Sequence, residues 1–214
     1  MKTISHRQGK LLHGDCVEVM KQIPSNCIPL VLTDPPYLVN YRDRSGRTIM
    51  NDKQNDWLEP AFKEIKRVMK PNSFCVSFYG FTKIDQFMKA WISCGLRPVG
   101  HLVFPKPYAS KSGYMRYQHE SAFLLVKGNP DFPKNPISDV LPWEYSGNKL
   151  HPTQKPLEAL QPIIKSLSNQ GDIVLDPFMG SGTTCFAAKQ LKRRYVGIEL
   201  DIQHYKTAEN RLNI

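Results

Sequence analysis

Ile173-Val174-Leu175-Asp176-Pro177-Phe178-Met179-Gly180-Ser181-Gly182-Thr183-Thr184 decides how this chain folds. An apolar run of strand type passes into a tight glycine turn, and the turn passes into a helix whose apolar face includes Phe186, Ala187 and Leu191. Gly180 and Gly182 permit close backbone approach and dihedrals that other residues avoid. Ser181, Thr183 and Thr184 are candidates to cap the helix. The turn is no phosphate-binding P-loop, because no Gly-Lys-Ser/Thr follows at the required spacing. A dinucleotide turn of the Gly-x-Gly-x-x-Gly type would want a third glycine where the chain has Cys185. The next apolar run, Tyr195-Val196-Gly197-Ile198, ends in Glu199, placed to accept both hydroxyls of a ribose. Asp201 is then the N-cap of the last helix, which turns Ile202, Tyr205 and Leu212 inward.

The same alternation of short apolar runs and amphipathic stretches extends upstream, the pattern of an α/β sheet covered by helices. Strands are predicted at Lys10–His13, Leu30–Thr33, Ser73–Tyr79, Val99–Phe104, Ala122–Val126, Ile173–Leu175 and Tyr195–Ile198. Trp57, Leu58, Ala61, Phe62, Ile65, Val68 and Met69 form one helical stripe, stopped by Lys70-Pro71-Asn72. A second stripe from Ile84 to Ile92 ends at Gly95, a C-cap glycine. A third helix begins near Pro156, which suits a first helical position, and Pro162 should kink it. Three stretches lack periodicity: Leu38–Asp56, Pro105–His119 and Gly128–Leu150. Loops of this length in a single domain are often functional.

Lys and Arg number 29 against 19 Asp and Glu, a formal charge of +10 that favours a polyanionic partner. No apolar run approaches the roughly 20 residues that span a bilayer. The N-terminal residues carry no apolar signal core, so the expected location is cytoplasmic. Five scattered cysteines without a Cys-x-x-Cys pair speak against both a zinc site and a disulfide framework, and no metal is expected.

A second segment, Asp34-Pro35-Pro36-Tyr37, follows the apolar run Leu30-Val31-Leu32-Thr33. Asp34 offers a carboxylate and Pro35 a carbonyl, both acceptors, on a backbone stiffened by two prolines. Tyr37 adds an aromatic face. Together with the glycine turn, this segment resembles the DNA amino-methyltransferases that use S-adenosylmethionine. The order, catalytic segment before cofactor segment, resembles their circularly permuted β class.

The resemblance implies a single-domain Rossmann-like α/β fold over residues 1–214, with a seven-stranded, mostly parallel sheet and flanking helices. It divides the chain into a catalytic half (1–127), a short target-recognition segment (128–150) and a cofactor half (151–214). It implies N6 methylation of a flipped adenine by direct in-line transfer, with Asp34, Pro35, Pro36 and Tyr37 catalytic. An adenine amine is a weak nucleophile, because its lone pair is delocalised, so acceptors that hold its hydrogens favour the reactive form. Asp at the first position leans towards adenine, whereas Ser there leans towards cytosine N4. The cofactor residues implied are Asp15, Thr153, Lys155, Asp176, Phe178, Gly180, Ser181, Gly182, Thr183 and Glu199. Methylation at cytosine carbon 5 is disfavoured, since no Pro-Cys dipeptide supplies a thiolate.

Double-stranded DNA is the implied partner. Arg42, Arg44, Arg47, Lys106, Lys111 and Arg116, interleaved with Tyr108, Tyr114 and Tyr117, are the candidate phosphate contacts. Lys192-Arg193-Arg194 instead suits the cationic end of a helix, and His119-Glu120 reads as structural. A homodimer, a cognate restriction endonuclease and a phage or mobile-element role stay open at this point. So do cytosine N4 methylation, RNA methylation and an inactive DNA-binding homologue.

Overall fold

The computed structural model describes residues 2–6, 8–42, 46, 48–109, 111–145, 147, 150 and 154–214. The first part of the chain contains β1 (Lys2–His6), β2 (Gly9–His13), α1 (Cys16–Met20), β3 (Ile28–Thr33), α2 (Leu58–Val68) and β4 (Met69–Phe78). It continues through α3 (Ile84–Ser93), β5 (Arg97–Pro105), a small hairpin of β6 (Lys111–Ser112) and β7 (Arg116–Tyr117), and β8 (His119–Lys127). The last part contains α4 (Leu157–Leu167), β9 (Ile173–Asp176), α5 (Thr183–Gln190), β10 (Arg194–Glu199) and α6 (Ile202–Leu212).

The main sheet has the order β1-β2-β10-β9-β3-β4-β8-β5. From β2 to β4 every pairing is parallel, while β8 runs antiparallel to both β4 and β5. All seven predicted strands are present, and β4 starts four residues early, at Met69. Met69 therefore belongs to the strand and not to the helical stripe. An eighth strand, β1, is added antiparallel at the edge through β2. Lys2-Thr3-Ile4-Ser5-His6 has too little apolar alternation to be read as a strand from sequence; its partner makes it one.

Alternation along the strands divides the core into two layers. Leu30, Leu32, Val76 and Phe78 face α4, α5 and α6, meeting Leu160, Ile163, Ala187 and Tyr205. Val31, Cys75, Leu125 and Leu175 face α1, α2 and α3, meeting Met20, Phe62, Ile65 and Trp91. The residues of β3 thus alternate between opposite helical layers, as a doubly covered sheet requires.

The helix ends follow local chemistry. Asp201 caps α6, its carboxylate accepting from the N–H groups of Gln203 and His204. Gly95, at φ 82°, closes α3: its N–H reaches Ile92 O and the Leu96 N–H reaches Trp91 O, a Schellman arrangement. Two expectations need correction. Pro156 is the N-cap of α4, not its first helical residue, and Pro162 lies inside the helix. The N-cap of α5 is Gly182 at φ 76°, with no side-chain cap from Ser181, Thr183 or Thr184. Arg211 of α6 instead donates to Thr183 Oγ1 at 2.8 Å, which draws that hydroxyl away from the helix end.

Arg193 is buried and donates to Ser168 O at 2.6 Å, Ser168 Oγ at 3.1 Å and Leu191 O at 2.8 Å. It satisfies carbonyls at the C-terminal ends of α4 and α5 together, more than the helix-end charge read from sequence. Replacing it leaves buried acceptors without donors. Arg193→Met is expected to lower stability by about 2–4 kcal/mol, measured by urea unfolding.

Candidate active site

The parallel pairings Leu30↔Val174 and Val31↔Leu175 set β3 beside β9. Their C-terminal ends therefore open side by side, and the chain leaves them in opposite directions across the sheet. That is the switch point at which open α/β sheets bind ligands. A cavity of about 1190 Å³, counting its open mouth, lies there. Asp34, Pro35, Pro36 and Tyr37 line one side; Asp15, Asp176, Phe178, Gly180, Ser181, Thr183 and Glu199 line the other, with Lys155 also on the wall.

Four charges and one phenol form a chain at the β3 end. Lys155 Nζ lies 2.6 Å from Asp34 Oδ2, and the Tyr37 hydroxyl donates to Asp34 Oδ1 at 2.9 Å. Tyr37 OH is also 3.5 Å from Glu120 Oε2, whose other oxygen pairs with Lys106 Nζ at 2.7 Å. Lys155 is buried between two aromatic faces, 5.3 Å from the Tyr37 ring centre and 4.9 Å from that of Phe78. Burial raises the Asp34 carboxyl above the ordinary carboxylate range, against the opposing pull of Lys155. Burial pushes Glu120 up too, but Lys155 and Lys106 outweigh it and hold the group below its usual value. Burial, with Asp34 and Glu120 adding to it, holds the Tyr37 phenol well above its usual range, so it remains a donor.

Tyr37 is backed by Gly80, where a Cβ would lie 2.8 Å from both Tyr37 Cβ and Tyr37 O. The residue after it, Leu38, is buried at φ 62°, a conformation that a leucine adopts only at a cost of about 1–3 kcal/mol. Asp52 holds this turn: its carboxylate accepts from the N–H groups of Tyr41 at 2.6 Å and Val39 at 3.3 Å. Val39, Tyr41, Met50, Asn51 and Asp52 line the cavity beside this turn.

At the other end, Glu199 Oε2 accepts from Gly180 N at 2.8 Å and Oε1 from Asp201 N at 2.7 Å. Burial raises its pKa, and these N–H groups oppose the shift. Asp176 Oδ1 accepts from Phe178 N at 3.1 Å, yet burial, with Asp34 nearby, lifts its pKa to about 7. Asp15 caps α1 through the N–H groups of Val17 and Glu18, and it lines the cavity as well. Arg211 braces the turn from behind, over the Phe186 ring and against Ser181 and Thr183.

Several sequence readings change. Gly182 does not line the cavity; a Cβ there would meet Ala208 Cβ of α6 at 3.0 Å, so its smallness serves helix packing. Lys106 is buried in its pair with Glu120 and is not a surface phosphate contact. Glu120, read as structural, belongs to the polar chain. Both were hidden because only the antiparallel pairing of β5 with β8 brings them together. Arg42 and Arg116 are exposed. Arg44, Arg47 and Thr153 lie outside the described residues, and of Lys111 only its place in β6 is described. Asp139–Leu141 run beside β5, where Val103 N donates to Asp139 O and Leu141 N to Val103 O. Trp143 then packs on Phe104 and donates to Tyr108 OH at 3.3 Å.

Among the described residues no group of three or more His, Cys, Asp or Glu side chains is placed to hold a metal ion. Nor is any described helix long and apolar enough to cross a membrane.

The N6/N4 DNA methylase family profile matches residues 28–210. The Escherichia coli (strain K12) protein named "Putative methylase YubD" is 53% identical over 203 residues, covering 95% of this chain and 89% of its own. Type II methyltransferase M.HinfI of Haemophilus influenzae is 31% identical over 245 residues, covering 94% of this chain and 67% of its own. The crystal structure of the M1.HpyAVI–SAM complex has a TM-score of 0.77 at 28% identity, covering 96% of this chain and 100% of that one.

Two outcomes follow from the packing and the charges. Gly80→Ala is expected to push Tyr37 from its seat and cost about 1–3 kcal/mol in urea unfolding. Asp176 has its folded pKa raised from 3.8 to about 7, so the folded state binds the extra proton between those values. Wild type should therefore lose stability relative to Asp176→Asn as pH rises from about 4 to about 7. Above that the difference should level off, as unfolding series at pH 5, 6, 7 and 8 would show.

Proposed function

The chain belongs to the N6/N4 DNA methylase family, and we propose that within it the protein methylates the N6 amine of adenine in double-stranded DNA, with S-adenosylmethionine as methyl donor. The observation that carries this reading is the shared cavity, with an acceptor set at one end and an acidic cradle at the other.

The residues present fit that cofactor. Asp15, Asp176 and Glu199 line its half of the cavity, and carboxyl groups suit a ribose diol and an ammonium group, not phosphates. The close approach of Gly180 N to Glu199 holds the turn and the carboxylate in one frame. Bound there, the cofactor supplies an electrophilic methyl group on a sulfonium. Asp15, Asp176, Phe178, Gly180, Ser181, Thr183 and Glu199 are assigned to it, together with Thr153 and Lys155 from the segment before α4.

Asp34 is assigned to the incoming amine. Its raised pKa makes it a good acceptor for the amine's hydrogens, and Pro35 O is the second acceptor. Tyr37 offers its ring to the extruded base, since a target base must leave the stack to reach a carboxylate inside the cavity. Asp at position 34 favours adenine over cytosine. Arg42 and Arg116, with Arg44, Arg47 and Lys111, are assigned to backbone phosphates, and residues 128–150 to target recognition.

Incubation of unmethylated DNA with the protein and S-adenosylmethionine, followed by nucleoside mass spectrometry, is expected to yield N6-methyladenine. N4-methylcytosine would instead move the base assignment. Asp34→Ala should lower product formation at least 100-fold while cofactor affinity, by calorimetry, changes less than about threefold.

A further inference from the structure

The Tyr37 hydroxyl has one proton and two carboxylates in reach. It donates to Asp34 Oδ1 at 2.9 Å, and Glu120 Oε2 stands 3.5 Å away on its other side. Asp34 Oδ2 already accepts from Lys155. Each carboxylate oxygen accepts more than one hydrogen bond, so an amine that docks on Asp34 shares it with Lys155 and Tyr37, and each added donor weakens the hold of Oδ1 on the Tyr37 hydroxyl. A hydroxyl displaced in a partly buried site, with no second acceptor, would make the exchange unfavourable.

We propose that Glu120 is that second acceptor, and that the Glu120–Lys106 pair is a positioning device which receives the Tyr37 hydroxyl when a substrate amine takes its place on Asp34. The inference rests on the transfer reaction assigned above. Its geometry comes from the sheet. Lys106 N bonds Gln118 O at 2.7 Å, continuing the β5–β8 ladder, so Lys106 and Glu120 are diagonal neighbours on one face. Lys106 Nζ is almost wholly buried and occupies Glu120 Oε1. Oε2 is thereby left turned towards Tyr37. The exchange moves no proton between residues: one O–H rotates from one carboxylate to another, while the Tyr37 ring stays against Gly80.

Single-turnover methylation on duplex DNA tests this through a double-mutant cycle. Glu120→Gln should lower the rate about 5–30-fold with cofactor affinity unchanged, whereas in the Tyr37→Phe background it should have less than a twofold effect. Additive losses, or an unchanged rate in Glu120→Gln, would overturn the proposal. Because Glu120→Gln leaves Lys106 buried without its partner, the Lys106→Met/Glu120→Gln pair serves as a second variant and should show the same dependence on Tyr37. The ¹³Cζ resonance of Tyr37, assigned with Tyr37→Phe, gives a readout independent of turnover. It should move in Glu120→Gln, and a static resonance would refute the contact. A wild-type chain that methylates no DNA would instead refute the reaction itself, with the resonance still deciding whether Glu120 holds the hydroxyl.

Discussion

The short parallel pairing of β3 with β9 is the constraint on which the rest depends. Two residue pairs, Leu30↔Val174 and Val31↔Leu175, join the half of the chain that carries Asp34 to the half that carries Gly180. Because both strands run the same way, their C-terminal turns emerge at one edge of the sheet. Because the chain leaves them on opposite sides, a cleft opens between. A register slip by one residue would exchange the two helical layers under β3, sending Leu30 and Leu32 towards α2 and Val31 towards α4. Burial on both faces forbids that slip and so fixes the distance between the two functional turns.

Within that cleft the charges are arranged as two neutral pairs, Lys155 with Asp34 and Lys106 with Glu120, joined by Tyr37. Buried ion pairs contribute little net stability, since desolvation offsets their attraction. What they contribute here is orientation. Lys155 and the Tyr37 hydroxyl aim the Asp34 carboxylate into the cavity, and Gly80 allows the Tyr37 ring close enough to take part. Asp52 and the strained Leu38 fix the wall behind it. Removing one partner would leave an uncompensated group in low dielectric, so the parts stand or fall together.

The sequence readings held where local chemistry decides structure. Asp201 caps α6, Gly95 closes α3, and all seven predicted strands pair in one sheet. They failed where a partner decides. Lys2–His6 becomes a strand only beside β2. Gly182 reads as a cofactor glycine, but its neighbour is Ala208 of a helix 26 positions further along. Lys106 looked like a surface cation among tyrosines, and its true partner lies across a hairpin loop.

By itself the sequence determined the α/β class, the two segments that line the cavity and the family to which they point. Those features are written in periods of two and 3.6 residues, in prolines and glycines, and in caps, all of which act over a few residues. Only the tertiary structure decided that Lys155 pairs with Asp34 and Lys106 with Glu120. It also decided that Arg211 braces the glycine turn and that Arg193 joins two helix ends. In each, a charged side chain reaches a partner well removed along the chain. A lysine's partner leaves no periodic trace in the sequence, because it is set by which strands lie side by side.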